Sequence, residues 1–94
     1  MFLEISKAEY IADYKVELTF NNGDVLCVDL EHELNGTVFI LLKSPEYFRS
    51  FKIVYNTIQW DNGADFAPEY LYELGKYQQQ LASEPDAEYN QFNV

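Results

Sequence analysis

Asp61, Asn62, Asp65 and Glu69 crowd oxygen atoms into nine residues, the donor type that hard cations such as Ca²⁺ and Mg²⁺ select. Their spacing does not fit a calcium loop. Counted from Asp61, Gly63 falls at the third position and Tyr72 stands at the twelfth, where a bidentate acid is needed. The structural reading is stronger: Asn62-Gly63 forms a turn, Asp65 accepts amides at a helix start, and Glu69 lies in the first helical turn near the dipole's positive end. His32, flanked by Glu31 and Glu33, has the makings of a general base, yet no Ser or Cys can be paired with it by sequence. Cys27 is the single cysteine. It has no internal disulfide partner and no sequence-adjacent cation to stabilise a thiolate. No catalytic, cofactor-binding or metal-ligating residue is therefore assigned. The alternative is a small enzyme or a ligand- or metal-binding domain using the Asp61, Asp65 and Glu69 carboxylates.

The aromatic residues of the same region suit recognition better than catalysis. Trp60 is expected in the core, closing the sheet over the main helix, whereas Tyr72 and Tyr77 fall on flanking helix faces. Trp and Tyr are enriched in interface hot spots. Asp61, Asp65, Glu69, Tyr72 and Tyr77 together form the candidate interaction surface.

Ninety-four residues make one domain, which buries roughly 60 to 65% of the surface its unfolded chain exposes. Hydrophobic residues are 48% of the chain and aromatics 17%, enough for one core without a disulfide or metal staple. Sixteen acids against six bases give a formal charge of −10, which repels phosphate backbones and anionic lipid; neither direct nucleic-acid binding nor a membrane partner is expected. The charge is uneven. Residues 1–60 carry 9 acids and 5 bases, net −4, and residues 61–94 carry 7 acids and 1 base, net −6, so a basic partner surface would favour the C-terminal third. With no basic-then-apolar leader at Met1 and no run of about 18 apolar residues, the expected location is the cytoplasm.

These residues must be held by elements that the hydropathy pattern lays out. Leu3 and Ile5 alternate with Glu4 and Ser6 as a short first strand. Tyr14, Val16, Leu18 and Phe20 alternate with Lys15, Glu17 and Thr19 as a stronger one, paired through Asn21-Asn22-Gly23 with Val25–Leu30. A two-residue loop would bury Asp29 opposite Val16. A three-residue loop pairs Leu18 with Leu26 and Val16 with Val28, with Gly23 at positive φ after a type I turn. Asp29–Leu34 reads as a helical turn capped by Gly36 in the left-handed region, and Val38–Leu42 as an apolar run too short to assign. Ser44-Pro45-Glu46 starts a second short helix with Ser44 as its cap. Phe51, Ile53 and Tyr55 alternate into an Asn56-Thr57 turn and a return strand, Ile58–Trp60. Pro68-Glu69 starts the main helix, whose apolar positions Tyr70, Leu74, Tyr77 and Leu81 recur at helical spacing, with Gly75 as a weak point of about 1 kcal/mol. Residues 1–82 thus form one α+β domain, a small antiparallel sheet of two β-hairpins with the C-terminal helix packed on it. Residues 83–94, with three acids and no base, are expected to stay loose until a partner orders them.

With those elements in place, the chain resembles the bacterial domain-of-unknown-function family 2442. The resemblance rests on Phe20, Gly23, Asp29-Leu30, Gly36, Val38-Phe39, Leu42, Phe48, Trp60, Asn62-Gly63-Ala64-Asp65, Pro68-Glu69 and Leu71-Tyr72, over roughly residues 8–74. Asp61 departs from the Pro that many members carry there. The resemblance implies a small α+β domain, sometimes fused to a helix-turn-helix region that is not expected in this chain, with no established enzymatic residues. It also implies, for some members, a role as one half of a toxin–antitoxin pair. The expected function is accordingly a non-enzymatic interaction module, an antitoxin-like partner of a small basic protein, with a structural homodimer through an open sheet edge as a further alternative.

Overall fold

The computed structural model describes residues 2–82; the acidic tail expected at 83–94 lies outside them. Strands β1 (Ile5–Ala12), β2 (Lys15–Phe20) and β3 (Val25–Asp29) form an antiparallel sheet in the order β1-β2-β3. A separate two-stranded sheet pairs β4 (Lys52–Val54) with β5 (Thr57–Gln59). The main helix, α2 (Pro68–Ala82), packs on β3 after a single-turn helix, α1 (Pro45–Phe48). The α+β class, the two hairpins and the C-terminal helix stand as expected, with a third strand added to the first hairpin. No helix among the described residues is long and apolar enough to cross a membrane.

The β2–β3 register pairs Leu18 with Leu26 and Val16 with Val28. Gly23 has φ of +93°, and its N–H donates to the Phe20 carbonyl at 2.9 Å, as the three-residue loop requires. Inward side chains Val16, Leu18, Leu26 and Val28 are fully or almost fully buried. β1 is longer than the Leu3–Ser6 alternation suggests and begins later. Register shifts after Ile5 and after Tyr10 change which parity faces inward: Ile5 is buried, then Ala8 and Tyr10 lie half-buried opposite Leu18 and Val16. Such bulges erase the period of two over which a strand is recognised. The Ile5 N–H donates to the Asn56 carbonyl at 2.8 Å, which ties the two sheets together.

Three other local expectations are corrected, and one unassigned run is resolved. Gly36 has the positive φ expected of it, +89°, but its ψ of 163° lies outside the left-handed helical well, so it leads into the next 3₁₀ turn instead of capping Glu31–Glu33. Ser44 precedes α1 but makes no side-chain capping bond; its carbonyl accepts from Phe48 N–H at 2.8 Å. The second hairpin turns at Tyr55-Asn56, one residue earlier than expected, because Val54 pairs with Thr57. Both turn residues have positive φ, 52° and 72°, the signature of a two-residue type I′ turn. Val38–Leu42 resolves into two 3₁₀ turns, Thr37–Phe39 and Leu41–Lys43.

The α2 stripe also differs. Tyr70, Tyr77 and Leu81 are exposed, and the buried line is Leu71, Gly75 and half-buried Gln78, at i, i+4 and i+7. Gly75 explains the choice. A Cβ there would lie 3.0 Å from both Leu26 Cδ1 and Val28 Cγ2, so its absence brings the helix down onto β3. Trp60 is buried as expected, in one core with Leu71 of the main helix, and its ring contacts are Phe48, Phe51 and Phe66. Its Nε1–H donates to the Phe48 carbonyl at 2.6 Å, which satisfies the one polar atom of the indole.

Candidate functional site

Two turns of one design hold the edges of the candidate surface. Phe20-Asn21-Asn22-Gly23-Asp24 and Trp60-Asp61-Asn62-Gly63-Ala64 share the backbone bonds within the turn. Each glycine N–H donates to the aromatic residue's carbonyl at 2.9 Å, and each aromatic N–H returns to the fifth residue's carbonyl at 2.8 and 2.9 Å. The asparagine Oδ1 accepts from the fifth residue's N–H at 3.0 Å in both. Gly63 has φ of +90°, matching Gly23. This geometry displaces Asp65 from its expected role: its backbone pairs with Gln59, and Leu71 N–H bonds to Ala67, so the helix starts after Asp65 and is not capped by it.

The carboxylates on this turn and helix are exposed and loosely held. Asp61 lies 3.9 Å from Lys52 Nζ with both side chains largely in water, a pair of little stabilising worth. Asp65 and Glu69 are exposed, and Glu69 occupies the first turn of α2 as expected. Among the described residues, no group of three or more His, Cys, Asp or Glu could hold a metal ion. His32 is exposed on its 3₁₀ turn, and Cys27 is exposed on β3.

Tyr72 and Tyr77 part company. Tyr72 is half-buried, packs edge-on against Phe20 at 5.1 Å and donates its hydroxyl to Asp24 Oδ2 at 2.5 Å. Lys76 adds a longer contact to the same carboxylate at 3.8 Å and lies over the Tyr72 ring at 5.7 Å. The Tyr72 hydroxyl, opposed by partial burial and helped by Lys76, holds the Asp24 carboxyl below its ordinary value of 3.8. Tyr77 stays 59% exposed. Along that solvent side of α2, a shallow groove of about 310 Å³ is lined by Tyr72, Glu73, Lys76, Tyr77 and Gln80.

Sequence reasoning missed the apolar part of this surface. Val38, Ile40 and Leu41 are 46%, 58% and 54% exposed on the 3₁₀ turns, and Asn62 Nδ2 donates to the Val38 carbonyl at 2.9 Å, fixing them beside the Asp61 turn. Phe39, between them, stacks on Phe66 at 5.0 Å, and Phe66 stacks on Tyr70 at 6.0 Å. Tyr70 donates its hydroxyl to Glu33; that bond, with burial and the Glu33 charge, raises the phenol above its ordinary value of 10.0. The signal was present in the Val38–Leu42 run, which an amphipathic core element would have interrupted with polar residues.

Fold and surface together define a small α+β domain whose helix face and preceding turn are acidic and aromatic. The chain belongs to the family described as "Protein of unknown function (DUF2442)", whose model matches residues 5–77. It is similar in fold, with a TM-score of 0.73 at 24% identity, to the crystal structure of a "Putative DNA Binding Protein" from Nitrosomonas europaea ATCC 19718. The likeness covers 85% of this chain and 53% of that one, so the chain spans about half the length of the structure it matches. No curated protein matches the chain.

Proposed function

We propose that this domain is a non-enzymatic interaction module that binds a small basic protein, in the manner of an antitoxin. The observation that carries the reading is the Asp61 turn, where exposed Asp61 stands beside exposed Val38, Ile40 and Leu41, held there by the Asn62–Val38 bond, with exposed Asp65, Glu69, Glu73 and Tyr77 following along the chain. Exposed apolar and acidic groups together suit a partner whose own apolar contact is flanked by Lys or Arg. DNA binding, the property that the name of the Nitrosomonas protein carries, receives no support from a chain of −10 charge, because binding to phosphates requires cations.

The test is recovery of partners by pull-down from the native cells, followed by the same capture with Glu69→Lys and Ile40→Asp variants. A basic protein retained by the wild type and lost from both variants is the expected result. A gel-shift titration showing tight binding to DNA or RNA, with no protein recovered, would replace this reading with a nucleic-acid role.

A further inference from the structure

The outer edge of β3 is open, and the ladder shows which groups it presents. Phe20 N–H to Asp24 carbonyl and Leu30 N–H to Tyr14 carbonyl, each 2.8 Å, bracket the β2–β3 ladder, so Leu26 and Val28 bond inward. Val25, Cys27 and Asp29 therefore direct N–H and C=O away from β2. At Asp29 both are taken: Gln78 Oε1 accepts the N–H at 2.9 Å and Gln78 Nε2 donates to the carbonyl at 3.0 Å, as a neighbouring strand would. At Val25 and Cys27 no partner exists among the described residues. Beside them, Val25, Leu26, Cys27, Gln78 and Gln79 line a groove of about 320 Å³ between the strand and α2.

We propose that this groove receives an extended basic segment of the protein partner, which adds to β3 as a fourth strand. Backbone pairing with Val25 and Cys27 supplies the affinity, and the α2 wall fixes the segment's position. Gln78 ends the pairing at Asp29. The occupant's charge follows from the outer sheet face, where Glu9 and Glu17 lie directly opposite one another and Glu17 lies opposite Cys27. Lys7 already pairs with Glu9 at 3.4 Å, which leaves Glu17 as the charge that a Lys or Arg on the added strand opposite Cys27 can reach across to. Its neighbours on the added strand point into the groove toward Gln78 and Gln79, which suits small hydroxyl-bearing residues. A second copy of this chain brings another −10 charge and fits the edge poorly. The inference rests on the basic-protein reading above and adds its mode of binding.

The experiment uses the full chain and a short capped peptide alternating lysine with threonine, against the same peptide with glutamate for lysine. Amide exchange followed by NMR should slow at Val25 and Cys27 with the lysine peptide and not with the glutamate one. Val25→Pro removes one outward N–H, which an edge strand tolerates, and should weaken the peptide roughly tenfold. Exchange at Cys27 in the unmodified chain gives the same information should that variant fold poorly. Lysine-peptide shifts confined to Val38–Leu41 and Glu69–Tyr77 would overturn the groove while leaving the basic-partner reading standing. No binding of the lysine peptide, with no basic protein in the pull-down, would overturn both. Protection at Val25 and Cys27 that grows with protein concentration alone would assign the edge to a second copy instead.

Discussion

At the scale of single residues, Gly75 decides how closely α2 approaches the sheet. An added methyl gains about 1 kcal/mol of helix propensity but meets Leu26 and Val28 side chains at 3.0 Å, and overpacking in a core costs roughly 1–3 kcal/mol. Gly75→Ala is expected to lose about 1 kcal/mol net by urea denaturation; a raised midpoint would show that β3 yields to the methyl. Asp65 presents the opposite case. Its backbone is paired and its carboxylate exposed, so Asp65→Ala should shift stability by no more than about 0.5 kcal/mol. A loss of a full cap's worth would restore the helix-start role that the structure removes.

At the scale of elements, the β2–β3 turn and α2 are locked by one phenol–carboxylate contact. Asp24 is held below 3.8 chiefly by the Tyr72 hydroxyl, and a carboxyl whose folded value is depressed contributes stability above its unfolded value. That contribution fades as the pH falls below 3.8 toward the folded value. Tyr72→Phe should therefore melt below the wild type at neutral pH, with the gap narrowing as the solution is acidified through that range. A gap independent of pH would mean that Tyr72 acts by ring packing on Phe20 alone. The β2–β3 hairpin was legible because only one register keeps Asp29 off the buried face. β1 was not, since its two bulges change the inward parity, and nothing in Ile5–Ala12 marks where they fall. On α2 the period was readable but the face was not: Tyr70, Tyr77 and Leu81 are apolar enough to mimic a core stripe, while the true one runs through Gly75. The candidate surface was legible in its charges and hidden in its apolar half, because half-exposed 3₁₀ turns have no period to read.

Across the whole molecule, charge governs how a partner arrives. Residues 61–94 hold net −6 of the −10, and Asp61, Asp65, Glu69 and Glu73 among them are exposed. Steering of this kind is screened as the Debye length shortens from about 30 Å at 0.01 M salt to about 8 Å at 0.15 M. The association rate with a basic partner should fall by about tenfold over that range, and reversing Asp61 and Glu69 to lysine should flatten the dependence. Stopped-flow mixing at several salt concentrations reads both. A rate indifferent to salt would place recognition in the apolar Val38–Leu41 contact.

The paired turns also set a clock. Asn-Gly sequences age when the glycine nitrogen attacks the asparagine side-chain carbonyl and expels ammonia, forming a cyclic imide that water opens to an acid. In both turns the glycine N–H is committed to an aromatic residue's carbonyl, which holds that nitrogen back from attack. The asparagines differ. Asn62 is tied at both ends, to Ala64 and to Val38 at 3.0 and 2.9 Å, whereas the Asn22 amide nitrogen makes only 3.4 Å contacts to Asp24 and Tyr72. Of these two turn asparagines Asn22 ages first, planting a fresh carboxylate beside Asp24 and leaving old molecules more anionic than new ones.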